Sequence, residues 1–210
     1  MLRLAMKANS AGFTLLEVMF AIAVLAVVIA FGVPNFQAFV RNGRMTAAAN
    51  DIVTDFNVAR SEAVKRRVPV TLCKSQDGAT CDANAADPFR SWIIFVDDAD
   101  PAVVDAANDG DGEVDANEAI LRQRTIADTI TVRTNANGRR AIFLNTGFPS
   151  TAAAGNVTSF VLCDERGNAT TVGGNSAARA ISIAPTGRPQ VTRNKAGIAS
   201  LITSLGVSCP

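Results

Sequence analysis

The chain has no histidine, no tyrosine and a single tryptophan among its 210 residues. The missing imidazole removes histidine zinc sites, Ser-His-Asp triads and Cys-His pairs together. One sign of charge is absent from two long segments. Between Asp97 and Glu118 there is no Lys or Arg, and nine of the nineteen acids lie there. After Glu165 there is no acid, while Arg166, Arg179, Arg188, Arg193 and Lys195 follow. Formal net charge is only +1, so no global field draws the chain to nucleic acid or a membrane surface. No aromatic residue follows Phe160, which excludes a base-stacking platform in the tail. There is no internal repeat.

Cysteine is scarce: Cys73, Cys81, Cys163 and Cys209. Their spacing is not that of a zinc ribbon, and an even count in an exported chain favours two disulfides. Three connectivities exist. The favoured one closes a small loop with Cys73–Cys81 and ties down the C-terminus with Cys163–Cys209. Four buried free thiols, which need a reducing compartment, are the alternative.

What is abundant is apolarity near the N-terminus. Residues 1–12 carry only Arg3 and Lys7 as charges, and 13–33 are apolar apart from Thr14 and Glu17. Twenty-one helical residues reach across a hydrocarbon core of about 30 Å. The basic leader stays on the cytoplasmic side, which sends the C-terminal bulk across. A secretory signal is cut after its apolar run, whereas here Gly12-Phe13 precedes it. Cleavage there would leave 18 basic against 19 acidic residues, a net charge of −1. It would also place a new α-amine one helical turn from Glu17, whose carboxylate is costly near a membrane unless it finds a partner or reaches the interface.

Gly12-Phe13-Thr14-Leu15-Leu16-Glu17, followed by an apolar helix and Pro34, resembles the class III signal of type IV pilins and pseudopilins. The resemblance implies cutting after Gly12 by a prepilin peptidase and N-methylation of Phe13. It also implies that Glu17 complements a neighbour's terminal charge during assembly, and that the helix kinks or melts locally at Pro34. It places the chain in the inner membrane as a single-pass protein with a periplasmic C-terminal domain, then in a pilus or pseudopilus with other pilins or pseudopilins.

Residues 34–67 continue the helix. Ile52, Phe56, Ala59 and Ala63 form an apolar stripe, Lys65, Arg66 and Arg67 crowd the last turn, and Pro69 stops it. Beyond it the period becomes two, predicting strands at 68–74, 91–96, 119–124, 129–133, 141–144, 159–163, 180–184 and 189–192. A long helix followed only by strands gives an α+β fold. It is type IV pilin-like, a transmembrane then amphipathic helix packed on antiparallel β-sheets. The expected organisation is a leader at 1–12, a spanning helix at 13–33, an amphipathic helix at 34–67 and a β-rich extracytoplasmic domain at 68–210.

Within the acidic segment, Asp109, Asp111, Gly112, Asp115 and Glu118 resemble the latter part of an EF-hand loop, which would bind Ca²⁺. The first ligand position is Ala107, which offers no oxygen, and a solvated acidic hairpin is the better-supported reading. An exported hydrolase using Asp97, Asp98 and Asp100 is disfavoured, since the sequence supplies no apolar wall for them. No enzymatic activity is expected.

Three further motifs, Trp92 to Asp97, Leu162 to Gly167 and Ile181 to Arg188, stand before a terminal Cys209. In this order they are similar to the minor pilins that include FimT and FimU, related to pseudopilin H of type II secretion. That resemblance implies a minor pilin that helps prime or cap a type IV pilus. Its alternatives are a FimT-like pilin that captures double-stranded DNA without reading sequence, and a pseudopilin serving protein export. The DNA-capturing branch carries Gly-Arg-x-Arg, whereas this chain has Gly187-Arg188-Pro189-Gln190, with Arg193 and Lys195 as substitutes for the missing arginine.

Overall fold

The computed structural model describes residues 12–82, 84, 89–98, 110–115, 117–135, 138–150, 156–171 and 173–209. They fall in two compact units, Met1–Asn42 and Gly43–Pro210. Helix α1 runs through both, from Leu15 to Arg66.

In the first unit α1 begins with a side-chain cap. Thr14 Oγ1 accepts from the Glu17 N–H at 3.2 Å, and Glu17 stands three residues on, the spacing of a capping box. The segment that follows has a mean hydropathy of 2.7 over its most apolar window, none of it buried. Pro34 lies inside α1, and the helix is unbroken through it. The Asn35 amide donates to the Phe31 carbonyl at 2.9 Å, in the turn that the proline deprives of a donor.

In the second unit α1 is amphipathic. Met45, Ala48, Ala49, Ile52, Phe56, Ala59 and Ala63 are buried, a spacing of three and four that keeps them on one face. They pack on the inner faces of two four-stranded antiparallel sheets. One has β1 (Val70–Lys74), β2 (Ser91–Val96), β3 (Ile120–Thr125) and β5 (Arg140–Phe143) in the order β3-β2-β1-β5. The other has β4 (Thr131–Thr134), β6 (Ser159–Cys163), β7 (Arg179–Ile183) and β8 (Pro189–Thr192) in the order β4-β6-β7-β8. Phe56 joins helix to sheets, meeting Phe143 and Phe160 edge to face at 5.8 and 5.4 Å.

All eight expected strands are present, with ends shifted by one or two residues. The expectation that only strands follow the long helix is wrong. A second helix, α2 (Lys195–Leu205), is capped by Asn194, whose side chain accepts from the Gly197 N–H, and ends at left-handed Gly206. Ile198, Leu201, Ile202 and Leu205 cover the outer face of β6 and β7 at Val161, Cys163 and Ala180. This α2 cover is held by the Cys163–Cys209 disulfide, while Cys73–Cys81 closes a loop over the outer face of β1 and β2.

Candidate functional site

Glu17 is in the first helical turn, where a carboxylate is favoured by the macrodipole, and its neighbours Phe13, Leu15 and Leu16 are exposed. Gly12 and Phe13 precede the helix, in backbone accessible to another protein. The apolar surface from Phe13 to Phe39 is exposed.

The basic tail residues do not form one site. Gly187 and Arg188 lie in the β7–β8 turn, where the Gly187 N–H donates to the Ala184 carbonyl and the Ala184 N–H to the Arg188 carbonyl. Gly187 has φ of +77°, and a Cβ there would sit 3.1 Å from the Gly147 carbonyl. The turn at Gly147 is in turn held by Arg60 of α1, whose Nε donates to its carbonyl at 3.0 Å. Glycine at 187 is thus a packing requirement between two turns.

Arg193 and Lys195 stand at the opposite end of β8. Arg193 follows Thr192, which pairs with Ala180, so it lies beside Arg179. The Arg179 guanidinium reaches Thr46 Oγ1 of α1 at 3.4 Å. From Thr46 to Arg60 is roughly 21 Å of helix. The four residues of β8 (Pro189–Thr192) also lie between Arg188 and Arg193, about 16 Å of extended chain. Arg193 therefore does not occupy the place of a motif arginine two residues after Arg188.

Of the acidic segment, Val114 packs against Cys73, Ile93 and Phe95 of β1 and β2, and the Gly110 N–H donates to the Asp97 carbonyl at 3.1 Å. Asp97 is fully buried; its carboxylate accepts from Thr71 Oγ1 at 2.5 Å and from the Gly112 N–H at 3.1 Å. Burial pushes it up to about 6, against the lowering effect of those two hydrogen bonds. Glu118 is raised to about 7, first by burial and then by the negative charges of Asp97, Asp115 and Asp111. The wall that the sequence lacked for Asp97 is supplied by the folded sheet.

For the EF-hand reading, Asp109 and Ala107 lie outside the described residues, as does Asp100 of the carboxylate triplet. The Asp111 carboxylate accepts from the Glu113 N–H at 2.8 Å and that of Glu118 from the Asp115 N–H at 2.8 Å, so both serve their own turns. Among the described residues no group of three or more acids, cysteines or histidines is arranged to hold a metal.

Sequence reasoning missed Asp55. It is fully buried on the apolar face of α1 and accepts from Trp92 Nε1 (2.8 Å), Arg122 Nη1 (2.6 Å) and Arg124 Nε (2.9 Å). The signal was a lone acid one residue before Phe56 in an otherwise apolar stripe.

The sequence profile of type II transport protein GspH matches residues 48–187, and that of the prokaryotic N-terminal methylation motif matches residues 7–33. The chain belongs to the GspH family. Its members are pilin-like filament subunits and not enzymes, and they associate with other pilins or pseudopilins. The fold of this GspH-family chain is similar to that of the type IV minor pilin FimU of Pseudomonas aeruginosa, at 20% identity and a TM-score of 0.46 over 73% of this chain and 92% of that one. It is also similar to the minor pseudopilin EpsH of the type 2 secretion system of Vibrio cholerae. That match has 12% identity and a TM-score of 0.42, over 71% of this chain and 97% of that one. No curated protein sequence matches the chain.

Proposed function

We propose that this chain is a minor pilin of a type IV pilus, helping to prime or cap its assembly. The observation that carries this reading is the exposed apolar stretch of α1, headed by Gly12-Phe13 and Glu17. Such a surface is stable only in lipid or against like helices, which are the two environments a filament subunit passes between. In this reading a prepilin peptidase cuts after Gly12 and Phe13 is N-methylated. The helix anchors the chain in the inner membrane with its domain in the periplasm, and Glu17 meets the terminal amine of a neighbour.

The site that a DNA-capturing pilin needs is weakened by the geometry, since Arg188 and Arg193 point from opposite ends of β8. The structural role is therefore preferred, with DNA capture and a secretion pseudopilus as the competing roles.

Mass spectrometry of filaments shorn from the cell surface tests the proposal. The chain, beginning at Phe13, is expected among them. Its absence from shorn filaments, together with loss of protein export on deleting the gene, would assign it to a pseudopilus. Salt-sensitive duplex binding by the chain, lost in both Arg188→Ala and Arg193→Ala, would instead support DNA capture.

A further inference from the structure

Two acid-free segments meet at one end of the second unit. Residues 43–50 of α1 contain Arg44 but no Asp or Glu, and the tail from Arg166 onward contains no acid either. Arg179 brings them together: its Nη2 reaches Thr46 Oγ1, and its Nη1 donates to the carbonyls of Ser176, Ala177 and Ala178. Arg179 is buried, and its pKa is lowered first by that burial and then by the positive charges of Arg193 and Arg166. Positive charge is thus concentrated here. Arg193 and Lys195 are exposed, and the Lys195 ammonium donates to a neutral group, Thr170 Oγ1, at 2.6 Å. Among the described residues the acids near this end include Asp164, paired with Arg166 at 2.6 Å, Glu165, and Asp51, two turns along α1 from Arg44 and paired with Arg124 at 3.0 Å. Against them stand Arg44, Arg166, Arg179, Arg193 and Lys195.

We infer that this end of the domain, through Arg193, Lys195 and Arg44, docks on the phosphates of anionic lipid headgroups while the subunit waits in the membrane. The inference rests on the membrane-anchored reading above. The tether is short: Thr46 stands thirteen residues after Val33, the last of the apolar run, about 20 Å along the helix. Two positions in that tether permit it to bend. Pro34 removes a helical hydrogen bond, and Gly43 has open space where a Cβ would stand. Lipid is favoured over nucleic acid because the exposed charges sit where α1 enters the domain, away from Arg188, and because the tail that carries Arg193 and Lys195 has no aromatic after Phe160. A domain held down in this way is kept close to the plane in which neighbouring subunits are added. It is released when the subunit leaves the membrane.

The test uses the full chain in lipid nanodiscs of phosphatidylcholine, with or without phosphatidylglycerol, read by amide hydrogen exchange over residues 164–178 and 193–197. Phosphatidylglycerol is expected to slow exchange there. The Arg193→Glu/Lys195→Glu chain should lose that effect, by roughly fivefold per charge removed, and Arg188→Glu should keep it. Equal exchange in both lipids, or an effect surviving the double charge reversal, overturns the inference. So does protection that requires added duplex DNA and not phosphatidylglycerol. A chain that enters no nanodisc refutes the anchored reading itself, and this inference falls with it.

Discussion

The indole N–H of Trp92 donates to Asp55 Oδ2 at 2.8 Å, joining the middle of α1 to the first sheet through a carboxylate with no exposed surface. Arg122 and Arg124 on β3 complete its shell, and Arg124 also reaches Asp51 at 3.0 Å. A buried carboxylate is tolerable here because three donors, two of them cationic, replace the water it has lost. The pair therefore fixes the register of helix on sheet as well as its affinity.

Asp55→Ala should leave the indole N–H unpaired and remove the partner of two arginines. A loss of about 3 kcal/mol is expected in denaturant unfolding of the detergent-solubilised chain. Asp51→Ala, at a half-exposed position, should change stability by less than about 0.5 kcal/mol.

Gly187 and Arg188 separate packing from recognition. Gly187→Ala puts a Cβ against the Gly147 carbonyl in a left-handed conformation and should cost more than about 1 kcal/mol. Arg188→Ala, an exposed change, should leave the unfolding midpoint unmoved. If the order is reversed, the arginine holds the turn and its motif has a structural meaning only.

Acidification should stabilise the domain between about pH 7 and pH 4. Asp97 and Glu118 have folded pKa values of about 6 and about 7, above their ordinary values of 3.8 and 4.5. Over that interval the folded state holds more protons than the unfolded one, so stability falls as pH rises. For Asp97 the full effect is roughly 2–3 kcal/mol. Below about pH 4 the trend is opposed by Asp77, held well below its ordinary range by the N–H groups of Thr80 and Ala79. Unfolding midpoints across pH check this, and Asp97→Asn should flatten the curve between about pH 4 and pH 6 while leaving the slope that Glu118 contributes up to about pH 7.

The two disulfides should differ in effect. Cys163–Cys209 spans 46 residues and Cys73–Cys81 only 8, so loop closure favours the former by about 1.5 kcal/mol. A Cys163→Ser/Cys209→Ser chain should unfold more readily and expose α2 to limited proteolysis. Loss of Cys73–Cys81 should loosen only the cover over Ile93 and Phe95.

The strands were legible because alternation is a local pattern, and the spine helix because its apolar run and stripe are long. The second helix was not, since Gly197 and a run of small polar residues disguise a stripe that Ile198, Leu201, Ile202 and Leu205 do carry. The tail cations read as one patch in sequence, and only the ends of β8 show that Arg188 and Arg193 are separated. Asp97 reads as one of several loop acids, because its burial comes from Thr71 and Gly112, 26 and 15 residues away. The N-terminal methylation motif needed no tertiary information, since it lies in the order of residues before an apolar helix.

The most direct test of the account is the fate of Glu17→Ala in cells. Filaments shorn from wild-type cells should contain the chain starting at Phe13. The variant should be cut and inserted normally, yet stay in the membrane fraction and be largely missing from filaments. Equal recovery of the variant in filaments would contradict the account, because the charge at Glu17 would then play no part in bringing this subunit into its assembly.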